Sequence, residues 1–69
     1  MTRFLRYAVE HGRKIRAVLL LNGQMVQKTI GVVSYDDHSA TICIGARKTT
    51  IPLEDILSCD YARGDHGED

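Results

Sequence analysis

Apolar positions along this 69-residue chain follow a helical spacing first and a strand-like alternation afterwards. Near the start, Phe4, Leu5, Ala8 and Val9 fall at i, i+1, i+4 and i+5, which is one stripe of a helix. Thr2 is placed to cap that helix and Gly12 to stop it, so the pattern predicts a helix over residues 2–11. A strand over residues 3–9 turning at His11-Gly12 is the competing reading. A helix of about ten residues is marginal in water and must lie on another element.

The remainder reads as strand. Residues 14–21 are rich in strand formers and end at Asn22-Gly23, the strongest short hairpin signal, because a type I′ turn needs two residues that tolerate positive φ. Residues 25–35 alternate through Val26, Ile30 and Val32, with Gly31 marking a bulge or bend. Asp36-Asp37-His38-Ser39 is a turn by composition. Residues 40–46 form a third strand with Ile42 and Ile44 on one face, and the run from Gly45 to Lys48 turns again. Residues 49–53 form a fourth strand, with Pro52 placing it at an edge or an end. Glu54-Asp55 allows one tight helical turn before a last strand over residues 56–61.

The expected fold is therefore mainly β: a short N-terminal helix followed by a five-stranded antiparallel small barrel. Ile15, Ala17, Val26, Ile30, Val32, Ile42, Ile44, Ile51, Leu53, Ile56 and Leu57 supply most of the expected core, while alternation turns Leu20 and Val33 outward. Residues 1–62 form the expected single domain and residues 63–69 a flexible acidic tail without an apolar anchor.

This order of elements resembles the Sm-like and related SH3-like small barrels. The residues that carry it are Gly12 to Val18, Leu21-Asn22-Gly23, Gly31 with Asp36-Asp37, and Ile51 to Ile56. The last group is similar to the closing segment of the bacterial WYL and YolD-like modules. The resemblance implies an SH3-like barrel over residues 4–61. It does not carry the family's binding chemistry across. His38, Ser39, Ala40 and Thr41 follow Asp36-Asp37 where Sm proteins place a uridine-reading Asn, the second Sm motif is absent, and the chain has no Trp.

Size and charge narrow the function classes. A chain this short buries only about 60 % of its unfolded surface, so its core is thin. The longest apolar run, residues 17–21, is far below the ~20 residues of a membrane span, and no leader-like start appears. The expected setting is the cytoplasm, with Cys43 and Cys59 as reduced, buried small hydrophobes rather than a disulfide. Net charge is zero, but residues 1–34 carry +5 and residues 35–69 carry −5. Attraction between the two halves, within one fold or between copies, is the simpler reading of that asymmetry; a basic face for an anionic partner is the other.

No catalytic chemistry is expected. Ser34, Asp36, Asp37, His38 and Ser39 assemble triad residue types, but neighbours in one turn do not reach triad geometry. No cysteine pair has zinc spacing, so neither a metal nor a cofactor is expected. Arg3, Arg6, Arg13, Lys14 and Arg16 cluster around the helix and first strand as a candidate phosphate-binding stripe, with Tyr7 and Tyr35 as exposed stacking rings. The expectation is a non-catalytic, regulatory binding module of a bacterial cytoplasmic kind, with nucleic acid as its partner and a homo-oligomeric state. The alternative is a protein-interaction or oligomerisation module without nucleic-acid affinity.

Overall fold

A computed structural model describes residues 2–65 of the chain. Helix α1 spans Thr2–His11 and buries Leu5, Tyr7 and Ala8. It ends as the sequence predicts. Gly12 takes φ +62° and the Arg13 N–H donates to the Ala8 carbonyl at 3.1 Å, the long closing bond of a Schellman motif.

Five antiparallel strands follow: β1 Ile15–Leu21, β2 Gln24–Tyr35, β3 Ser39–Ile44, β4 Arg47–Pro52 and β5 Ile56–Tyr61. Their spatial order is β4-β3-β2-β1-β5. The edges β4 and β5 are not hydrogen-bonded to one another among the described residues. Pro52 ends an edge strand, where a missing N–H costs the ladder nothing. A short 3-10 turn, Leu53–Asp55, connects β4 to β5, and the Leu53 N–H donates to the His38 carbonyl at 2.9 Å.

Local chemistry sets the turns. Asn22 and Gly23 both take positive φ, 52° and 77°, and close a two-residue hairpin in which Leu21 faces Gln24. The second hairpin is tighter than expected. Ile44 pairs with Arg47, so Gly45-Ala46 alone makes the turn and β4 begins two residues earlier than residue 49. Gly45, at φ +61°, occupies the first turn position, where a type II′ hairpin places glycine.

Strand β2 belongs to both halves of the sheet. Residues 24–30 pair with β1 and residues 31–35 with β3, so the change of partner falls at Gly31. The register slip itself lies later, between Val32 and Ser34, which leaves Val33 as the extra residue. A second slip, between Val18 and Leu19 on β1, leaves Leu57 of β5 without an opposite number.

The core is built from Leu5, Ala8, Ile15, Ala17, Leu19, Ile30, Ala40, Ile42, Ile51 and Ile56, joined by the Tyr7 ring. Val26, Val32, Ile44 and Leu53 pack against it half-buried, as do Phe4 and Tyr61. Leu57, expected inside, is 44 % exposed, because the slip beside it breaks the alternation that assigned its face. Cys43 and Cys59 stand free and half-buried rather than fully enclosed. No helix among the described residues is long and apolar enough to cross a membrane.

Candidate nucleic-acid interface

One face of the molecule gathers aromatic rings under cationic side chains. Phe4 and Tyr7 lie along α1, and Tyr61 ends β5 beneath it. Phe4 meets Tyr61 edge-on at 5.0 Å between centroids, and Tyr7 meets Tyr61 at 5.2 Å and 80°. His11 tilts against Tyr7 at 4.9 Å, and Arg3 lies 5.0 Å over the Phe4 ring. An exposed cation–π contact of this sort contributes about 0.5–1 kcal/mol, enough to orient Arg3 while its charge stays in water. Arg3, Arg6, Tyr7, Glu10, His11 and Tyr61 line an open cleft of about 210 Å³. Among the described residues no anionic side chain pairs with Arg3, Arg6 or Lys14.

The predicted basic stripe is split by the fold. Arg3 and Arg6 occupy the cleft. Arg13 and Lys14, in the turn after α1, flank a neighbouring apolar groove with Val9, Gly31, Val33 and Cys43. Arg16 is directed elsewhere. Its Nε–H donates to the Tyr61 carbonyl at 3.0 Å, and its Nη2 lies 3.4 Å from Asp60 Oδ2. The exposed ion pair contributes at most about 1 kcal/mol. The charge-assisted bond to the carbonyl, about 1.5–3 kcal/mol, is what sets the Arg16 orientation.

The two stacking rings are not where the sequence reading put them. Tyr7 is 8 % exposed, because helical spacing places it with Leu5 and Ala8 on the core side. It offers an edge and a hydroxyl, not a face. Tyr35 is half-buried against the core at the far end of β2, opposite Ala40, and does not line the cleft. Tyr61, which the sequence reading did not select, takes part instead. Nothing in its local sequence marks it; its place follows from β5 pairing with β1.

The start of the tail is also corrected. Residues 62–65 make a turn in which the Asp65 N–H donates to the Ala62 carbonyl at 2.9 Å, with Gly64 at φ +84°. That turn brings the Asp65 carboxylate to Tyr7, whose hydroxyl donates to Oδ2 at 2.7 Å and Oδ1 at 2.8 Å. Arg13 Nη1 stands 3.8 Å from Oδ1. The Asp65 side chain is 11 % exposed, so the tail is docked at this residue. Residues 66–69 of the expected tail lie outside the described residues.

The turn with triad residue types is occupied by backbone work. Asp36 Oδ1 accepts the N–H groups of His38 and Ser39, each at 2.8 Å, which makes an Asx turn. Those two donors hold the Asp36 carboxyl below its ordinary pKa. Among the described residues no group of three or more His, Cys, Asp or Glu side chains could hold a metal ion. Burial pushes the Cys59 thiol pKa up, the opposite of what a reactive thiolate needs. No protein-family model, curated protein or solved structure matches this chain.

Proposed function

We propose that this chain is a non-catalytic nucleic-acid-binding module of the SH3-like small-barrel kind, acting in the bacterial cytoplasm. Its α1 face would receive single-stranded RNA or DNA. The observation that carries this reading is a cleft in which two guanidinium groups, Arg3 and Arg6, neither in a salt bridge among the described residues, stand beside Tyr7, His11 and Tyr61, with Glu10 also lining it. Arginine fits phosphate by its planar fork of donors, and ring edges beside it give a base an apolar surface to rest on. Neutral total charge limits nonspecific attraction, so binding is expected to be modest and confined to this face.

Titration with single-stranded RNA and DNA at several salt concentrations tests the reading. Phosphate contacts on a single strand weaken log K against log salt with a slope of about −0.7 for each phosphate neutralised. Replacing Arg3 and Arg6 together by Ala should flatten that slope by about 1.4, while Arg16→Ala should leave it nearly unchanged. Absence of binding by the unaltered chain at low salt overturns the proposal.

A second reading, self-association, has its own support. Among the described residues no strand pairs with the outer edges of β4 and β5, and Leu20 faces Met25 across β1 and β2 on the outer surface, 37 % and 70 % exposed. A second copy that covered this pair would remove apolar surface from water, and it would leave the α1 face open.

A further inference from the structure

Glu10 is the acidic member of the cleft that Arg3, Arg6, His11 and Tyr61 line. It follows Arg6 by one helical turn and Arg3 by two, so α1 sets all three on one face. Electrostatics disfavours a carboxylate there on two counts. Glu10 stands in the last turn of α1, at the negative end of the helix dipole. Its charge also repels the phosphates that Arg3 and Arg6 would attract. Neither effect is offset within the fold, because the exposed Glu10 side chain makes no ion pair or hydrogen bond among the described residues. A residue set against its local surroundings without compensation points to a contact made with something else.

We propose that Glu10 reads a base, its two carboxylate oxygens accepting from the N1–H and the 2-amino group of guanine, so that the cleft selects guanine in a single strand. The inference rests on the nucleic-acid reading above and adds base choice to it. An ionised carboxylate only accepts hydrogen bonds, and it takes two parallel donors best. Guanine sets two donors side by side on its Watson–Crick edge, the edge that single strands leave open to a protein. Adenine and cytosine set an amino group beside a ring-nitrogen acceptor, and uracil holds its N–H between two carbonyls. Each of those bases turns a lone pair toward one carboxylate oxygen. Arg3 and Arg6 take the flanking phosphates, which position the strand without reading it. The exposed His11 ring, tilted against Tyr7 at 4.9 Å, gives the base a surface to stack on.

The expected effect separates affinity from preference. A bidentate base contact at an exposed site should favour guanine over adenine about tenfold. Inosine keeps the N1–H and lacks the 2-amino group, so it should fall between the two. Glu10→Ala is the suitable variant, because alanine is the best helix former and the side chain it replaces is exposed. Losing the carboxylate should erase the preference and leave binding of an adenine strand unchanged or tighter, since a charge that repels phosphate has gone. A merely structural role for Glu10 would weaken both strands alike and keep their ratio. Glu54→Ala serves as the control, since it removes the same charge from the 3-10 turn, outside the cleft.

The test titrates short uridine oligomers carrying one central guanosine, inosine or adenosine against the unaltered full chain, Glu10→Ala and Glu54→Ala at low salt. The proposal expects the unaltered chain and Glu54→Ala to rank guanosine above inosine above adenosine, and Glu10→Ala to bind all three alike. Binding by the unaltered chain without a guanosine preference, or a preference that survives Glu10→Ala, overturns the base-reading role and leaves the nucleic-acid reading standing. No binding of any oligomer by the unaltered chain overturns both.

Discussion

The Tyr7 hydroxyl and the Asp65 carboxylate meet across 58 positions of chain, with O–O distances of 2.8 and 2.7 Å. A hydrogen bond to a charged group typically contributes about 1.5–3 kcal/mol, and a mostly buried carboxylate deprived of its donor keeps its desolvation cost. Tyr7→Phe preserves the ring packing on Tyr61 and removes only the donor. We expect a loss of about 1.5–2 kcal/mol, read in a thermal melt as a drop of roughly 6–16 °C for a domain of this size. An unchanged melting temperature means that the tail does not dock in solution.

Two glycines in strand-rich sequence should respond oppositely to alanine. A Cβ at Gly31 meets only the Cys43 Cβ, at 3.7 Å, an ordinary contact, and its backbone is not left-handed. Gly31→Ala should be neutral or stabilising by up to about 1 kcal/mol through the unfolded chain. Gly23 takes φ +77° in the first hairpin, so Gly23→Ala should cost about 1–2 kcal/mol although open space surrounds it. Urea midpoints at constant slope compare the pair.

Acid should release the Asx turn. The Asp36 pKa is lowered by the N–H groups of His38 and Ser39, so the native state favours the ionised form. The stabilisation is present at neutral pH, above the unfolded value, and disappears as pH falls through the lowered native value. Asp36→Asn removes this titration. Melting temperatures of the two chains should therefore draw together as pH is lowered through the carboxylate range, and a constant difference would show that Asp36 does not carry the effect.

Cys59 lies half-buried on β5 opposite Ala17, and its thiol pKa is raised by desolvation. In a Cys43→Ser background, labelling by a disulfide reagent at pH 8 should run well below the rate of an unfolded-chain thiol and reach that rate in denaturant. Fast labelling of the folded chain would mean that β5 detaches from β1.

Self-association should show as a mass above 7.7 kDa that falls on dilution. Met25→Lys places a charge beside Leu20 on the outer surface and should shift the equilibrium toward the single chain without lowering its intrinsic stability by more than about 0.5 kcal/mol. Light scattering across a hundredfold dilution reads it; a constant mass near that of one chain rejects the second reading.

Most of the elements were legible because their causes are local. Gly12 stops the helix at positive φ, Asn22-Gly23 fixes a turn through backbone sterics, and alternation along β1 orients Ile15 and Ala17 inward. Asp36 closes its own turn with donors two and three residues away. Each of these depends on neighbours within a few positions, so the amino-acid sequence by itself determined the helix, the five strands and their antiparallel order of hairpins.

What only the tertiary structure decided depends on registers that no local pattern encodes. The slip between Val18 and Leu19 put Leu57 outside, although its spacing resembles that of a core residue. Pairing of β5 with β1 brought Tyr61 under α1 and set Asp60 beside Arg16. The turn after β5 then carried Asp65 back to Tyr7 and Arg13, so the five-cation stripe became two open arginines, a flanking pair and one engaged side chain. A long-range contact of this kind follows from the pairing and packing of a whole sheet, and its energy belongs to residues that are strangers in sequence. Local spacing therefore names the elements, while packing chooses which of their side chains remain free to bind.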